Sequence, residues 1–252
     1  MVRVEHTIFA ADELASLLDW WRGAGVDSLV DDAARDWLKP PEPIAARLAA
    51  IPNEPTAHAP VPAAPVAQHL PETLDALLAW LAVDAALPLA GPAQRRIAPS
   101  GSHAAELMIV TGQPEIGDAE AGQLIAGPAG RLFDRMLAAI GLDRATVWLA
   151  PLSGSRAPGG RIDADALSAL TRIMIHHIGL AKPRRLLIVG DEASRALLGT
   201  AVAGARGRKH ALNHNSGTVP AVATFHPRFL IQQPARKAEA WKDLRLLIGE
   251  QN

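Results

Sequence analysis

Four short apolar runs, separated by segments of helical periodicity, constrain this chain more than any other feature. The runs are Glu106-Leu-Met-Ile-Val110, Thr146-Val-Trp-Leu149, Arg185-Leu-Leu-Ile-Val189 and Val219-Pro-Ala-Val-Ala-Thr224. Helical patterns cover residues 129–140, 164–178, 192–198 and 235–248, and another apolar helix spans 73–87 ahead of the first run. Strands that alternate with helices of this length predict an α/β fold, a three-layer α/β/α sandwich around a central, mostly parallel four-stranded sheet. Such sheets hold their ligands in the loops beyond the strand ends. The last run leads into Phe225-His226-Pro227, which sets an imidazole at that edge because the proline stops the strand.

Upstream, residues 1–39 read as a helical hairpin carrying Trp20, Trp21 and Trp37, a candidate surface for a protein partner. Prolines at 40, 41, 52, 55, 60, 62 and 65 then make residues 40–71 an Ala/Pro-rich linker, and residues 72–252 form the main domain. Cysteine is absent, so thiolate chemistry and cysteine-held metals are excluded together. No apolar run is long enough to span a bilayer and the start is too acidic for a signal peptide, which predicts a cytoplasmic protein with no membrane contact. Residues 1–70 hold 10 acidic against 5 basic side chains, leaving 16 against 20 on the remainder. That mildly basic body permits nucleic-acid binding without requiring it.

Each predicted strand empties into a distinctive loop. The first opens into Thr111-Gly112-Gln113-Pro114-Glu115-Ile116-Gly117-Asp118, and Gly127-Pro-Ala-Gly130 then starts a helix whose N-terminus suits an anion. The second opens into a flexible loop with Arg156 and Arg161, and the third ends at Gly190-Asp191, where Asp191 reads as a helix N-cap. Residues 206–217 read as a basic loop, with Arg208 and Lys209 suited to a phosphate backbone. His176 and His177 sit mid-helix among apolar neighbours and read as structural, and no spacing of His, Asp or Glu suggests a metal site.

Taken in order, several segments resemble the uracil-DNA glycosylase superfamily, in particular its bacterial iron-sulfur branch. They are Leu107-Met-Ile-Val110, Gly127-Pro-Ala-Gly-Arg-Leu-Phe-Asp-Arg-Met-Leu137, Ile140-Gly-Leu-Asp-Arg144, Arg156-Ala-Pro-Gly-Gly-Arg161 and Lys182-Pro183. Gly190, Ala196-Leu-Leu-Gly199, Arg206-Gly207, Thr224-Phe-His-Pro227 and Trp241-Lys-Asp-Leu244 follow. The resemblance implies DNA as partner and a flipped nucleotide held in a pocket. It makes His226 the donor toward the departing base, and it calls for a carboxylate in the first loop, an aromatic ring under the base and an asparagine that reads its edge. In this chain the carboxylate position falls on Gly112 or Gln113, with Glu115 and Asp118 as substitutes nearby. The aromatic falls on Ile125 and the asparagine on Pro151.

The resemblance thus makes His226, Gln113, Glu115 and Asp118 the catalytic candidates. Gly112, Pro114, Ile125 and Pro151 would line the base pocket, while Gly127, Gly130, Arg156, Arg161, Arg208, Lys209 and Arg228 would face DNA. The branch's four cluster cysteines fall on about Asp84, Leu87, Ser155 and Leu170, so a cluster-free fold without cofactor is expected, its former space filled by packing. Three readings stay open: a diverged glycosylase acting on uracil or another damaged base, an inactive relative that binds DNA or a partner, and a small-molecule enzyme reusing the same pocket. Nothing in the sequence sets an oligomeric state.

Overall fold

The computed structural model describes residues 70–249; the hairpin expected over 1–39 and the linker up to residue 69 lie outside them. The described residues build one six-stranded sheet from β1 (Ser100–Gly101), β2 (Leu107–Thr111), β3 (Trp148–Pro151), β4 (Arg185–Val189), β5 (Lys209–His214) and β6 (Gly217–Thr224), in the order β1-β3-β2-β4-β6-β5. The inner four run parallel and are the four apolar runs. The expected four-stranded sheet is corrected to six by an antiparallel strand at each edge, β1 on β3 and β5 on β6. Neither edge strand announces itself. β1 has two exposed residues, and in β5 only Leu212 is buried, so both are held by backbone pairing rather than by an apolar face. The basic loop expected over 206–217 is therefore largely a hairpin arm, in register from Lys209 opposite Val222 to His214 opposite Gly217.

Strand alternation divides the core. Met108, Val110, Trp148, Ala150, Leu186, Ile188, Ala221 and Ala223 point to one face, and Leu107, Ile109, Val147, Leu149, Leu187, Val189 and Val222 contribute to the other. The first face is covered by Leu170, Met174 and Ile178 of a long helix, Ala164–Ala181, and by Ala193 and Leu197 of Asp191–Leu198. Phe133 and Leu137 of Gly127–Ala138 cover the second with Leu244 and Leu247 of Lys237–Ile248. Numbered in chain order, the helices are α1 (Leu74–Val83), α2 (Asp118–Ala121), α3 (Gly127–Ala138), α4 (Ala164–Ala181), α5 (Asp191–Leu198), α6 (Val202–Ala205), α7 (Pro227–Gln232) and α8 (Lys237–Ile248). Thr73 caps α1 by accepting from the Ala76 amide, as its position before the apolar pattern suggests. The second strand starts two residues later than expected because Asp143 accepts the amides of Ala145 and Thr146 and holds Thr146 in a turn.

His177 is structural, as its apolar surroundings suggest. It is buried, and Trp148 Nε1 donates to its Nε2 at 3.1 Å. Burial, reinforced by His176 and His103, holds its pKa down at about 4 against an ordinary 6.5. Below pH 6.5 the unfolded chain takes up a proton that the folded chain refuses. Stability is therefore expected to fall as pH drops from about 6.5 to about 4, by roughly 3 kcal/mol from this residue. Urea midpoints measured across that range test this: His177→Gln should flatten the curve, and an unchanged slope would refute the assignment.

Candidate active site

Three parallel strands deliver their C-terminal ends to one cleft of about 200 Å³. Thr111 ends β2 and leads to Gly112, Gln113 and Glu115; Val189 ends β4 and leads to Gly190, Asp191 and Glu192; β6 leads to His226 and Arg228. Arg156 and Gly160 close it from the loop after β3. A ligand site at this edge is what a parallel sheet with a reversed strand order provides.

His226 is the N-cap of α7. Its Nδ1 accepts the Arg228 amide at 3.2 Å, which places the ring proton on Nε2. Burial, with Arg228 adding to it, lowers its pKa to about 4, so the ring is neutral at physiological pH. Gly190 makes room for it: at φ +88° a Cβ there would lie 3.2 Å from His226 Cβ.

Glu115 is brought into the same cleft. Its Oε1 lies 3.1 Å from Arg228 Nε and 3.7 Å from His226 Nδ1, and the side chain is only 18% exposed. With the imidazole neutral, the pair with Arg228 is the ionic one. Burial pushes the Glu115 carboxyl above its usual range, while Arg228 and Arg156 pull it back.

Asp118 is separated from this chemistry. It is 1% exposed, and its two oxygens accept the amides of Glu115, Ile125 and Ala126 at 2.8–2.9 Å. It fastens the first loop from within, and Gly117 at φ +90° permits the turn that reaches it. The anion site expected at the start of α3 is thus approached by the protein's own carboxylate. Gly130 has a packing duty, since a Cβ there would lie 2.3 Å from the Ile125 carbonyl oxygen, whereas Gly127 at φ +60° faces open space.

Gln113 lines the cleft but its amide is occupied at both ends. Nε2 donates to Glu192 Oε1 at 2.7 Å and to the Gly160 carbonyl at 2.9 Å, and Oε1 accepts the Ala157 amide at 2.7 Å. Its backbone N–H donates to Glu192 Oε2 at 3.0 Å. Gly112 is needed beside it, because a Cβ there would meet Glu192 Oε2 at 2.3 Å. Arg156 Nη1 donates to the Pro114 carbonyl at 3.0 Å, tying the β3 loop to the first loop.

Of the expected pocket residues, Gly112 lines the cleft and Pro114 braces its wall. Ile125 is instead buried in the core at φ +52°, and Pro151 ends β3 facing a different cavity. Exposed Arg161 follows Gly160, and Arg208 donates to the Gly204 carbonyl at 3.3 Å beside exposed Lys209 at the head of β5. Asp191 is not the N-cap of α5, a place taken by Gly190; it accepts the Val202 amide at 2.8 Å and so fixes α6.

Two features escaped the sequence reading. Glu192 is the clamp on Gln113 just described. Asp243, fully buried in α8, accepts Thr224 Oγ1 at 3.0 Å, Arg206 Nε at 3.0 Å and Nη2 at 3.2 Å, and the Gly207 amide at 3.1 Å. Arg206 also stacks over Phe225, 5.0 Å from its ring centre. This ion pair fastens the end of β6 immediately before His226. Both members lie in segments that carry the family resemblance, which was the available signal.

The iron-sulfur cluster that the resemblance implies does not fit the residues present. The chain has no cysteine, and among the described residues no group of three His, Asp or Glu could hold a metal ion. Leu87, Ser155 and Leu170 line a mainly apolar cavity of about 80 Å³ instead, so packing has not filled the space completely. Arg96 ties the segment around it by donating to the carbonyls of Leu81, Ala90 and Gly91, and Ser155 Oγ donates to Ala90 as well.

The sheet order and a strand-end cleft with histidine and carboxylate define an α/β protein whose ligand site lies at the C-terminal edge of its parallel strands. The family model for the uracil DNA glycosylase superfamily matches residues 98–245, and the chain belongs to that superfamily. It is similar to the type-4 uracil-DNA glycosylase of Pyrobaculum aerophilum, 27% identical over 150 residues that cover 57% of this chain and 76% of the relative. It is also similar to that of Archaeoglobus fulgidus, 23% identical over 157 residues covering 60% and 78%. Among the described residues no helix is long and apolar enough to cross a membrane.

Proposed function

We propose that the chain is a DNA N-glycosylase that hydrolyses the bond between deoxyribose and uracil or another damaged base. The observation that carries this reading is Glu115 and His226 facing one cleft at the strand ends. Glu115 orients the attacking water and steadies the positive charge that builds on the sugar. His226 offers its Nε2 proton to the base as negative charge builds there, a neutral donor held in that tautomer by the Arg228 amide on Nδ1. Arg156 and Arg228, both exposed at the cleft, suit flanking phosphates. Asp118 and Gln113 act as positioning residues, the first through the loop that carries Glu115 and the second through the β3 loop.

The test is release of base from single- and double-stranded oligonucleotides containing uracil or hypoxanthine, read as alkali-cleavable abasic sites on a gel. Site-specific cleavage is the expected result. DNA binding without abasic sites, weakening steeply with salt, would replace this reading with a binding protein. Absence of DNA binding at low salt would favour a small-molecule enzyme.

A further inference from the structure

The polarity of the cleft is layered. Its arginines stand toward solvent, with Arg228 58% exposed and Arg156 exposed. Two of its carboxylates lie deeper, Glu115 at 18% exposure and Glu192 half-buried, while Asp191 stands exposed at the rim. Among the described residues that line it there is no Phe, Trp or Tyr, and Val189 supplies the single bulky apolar side chain. The planar groups left for a base to lie against are the His226 imidazole and the Arg156 and Arg228 guanidinium groups. Beside the one His226 Nε2 proton, the deeper side chains offer a base acceptors: an ionised carboxylate only accepts, and the two Gln113 bonds leave further lone-pair directions on both oxygens of Glu192.

A base edge rich in carbonyl oxygens is poorly matched to such a floor. A ring that carries positive charge and an exocyclic amino group is well matched, because each carboxylate then faces charge and donors together. Resting on the glycosylase reading above, we infer that this cleft selects a cationic, N-alkylated purine, with Glu192 facing its amino-bearing edge. The chemistry balances without an added acid. Water oxygen bonds to C1′ as the C1′–N bond breaks, and that bond's electron pair stays on the ring nitrogen, where it cancels the positive charge. The base leaves neutral, and the proton from water passes to Glu115 and then to solvent.

Matched duplexes carrying one 7-methylguanine or one uracil test this under single-turnover conditions, with spontaneous base loss subtracted. Release of 7-methylguanine is expected to be at least tenfold faster than release of uracil. Glu192→Gln, checked for an unchanged melting temperature, should lower release of 7-methylguanine at least tenfold more than it lowers release of uracil, since loss of one Gln113 bond touches both alike. Should that variant lose stability, the ratio for the unaltered protein decides alone. Uracil released as fast or faster, or a folded Glu192→Gln that leaves the ratio unmoved, overturns the inference while the glycosylase reading stands. Release of neither base overturns the inference, and if hypoxanthine is not released either the glycosylase reading falls with it.

Discussion

Glu115→Gln is expected to slow base release by about 10²- to 10³-fold while DNA binding stays within a few-fold of the original, as when one electrostatic contact made in the transition state is removed. The substitution keeps the shape and an oxygen for Arg228 Nε, which now lies 3.1 Å away, so the loop has no steric reason to move. What disappears is the negative charge beside the developing cation. The pH profile separates this role from a merely structural one. Burial raises the Glu115 carboxyl above its ordinary 4.5, whereas His226 is lowered to about 4, so on acidification the carboxylate titrates first. Activity should fall as pH drops through the raised Glu115 value, and Glu115→Gln should remove that limb. Single-turnover rates between pH 4.5 and 8 measure both effects. A glutamine variant with the original rate and the original acid limb would transfer the role elsewhere.

The parts of this architecture that could be read in advance are those whose physics is local. β2 and β4 are buried on both faces, so they appear as unbroken apolar runs, and His226 is marked by the proline that stops β6. β5 could not be found this way, because a polar edge strand owes its place to hydrogen bonds with β6 rather than to its side chains. The two candidate acids looked alike in sequence, three residues apart. They parted only because Asp118 meets three amides, two of them contributed by residues 125 and 126, while Glu115 turns to the cleft. Glu192 was invisible for the same reason on a larger scale: its partner, Gln113, is 79 positions away. Local pattern names the candidates, and long-range contacts assign their duties.

The same non-local logic makes Asp243→Ala the most damaging single change expected outside the cleft. Its carboxylate is fully buried and answers Thr224, Gly207 and the Arg206 guanidinium, which is itself only 15% exposed. Removing one partner of a buried pair leaves the other charge uncompensated, at a cost of about 3–5 kcal/mol. For a domain of this size that corresponds to a fall in melting temperature of roughly 6–20 °C. Glu239 receives a second bond from Arg206 at 2.7 Å and holds part of the guanidinium, which sets the loss toward the lower figure. Asp243→Asn keeps the side-chain shape and one acceptor oxygen, for either Thr224 or Gly207 but not both, and should fall in between. The damage reaches function through position. Thr224 is two residues from His226, so a variant that still folds at low temperature should show slower base release with a nearly unchanged response to pH, since both titrating groups of the cleft remain. Melting curves and cold single-turnover rates on the two variants decide it, and an alanine variant as stable as the original would show that Arg206 finds its compensation elsewhere.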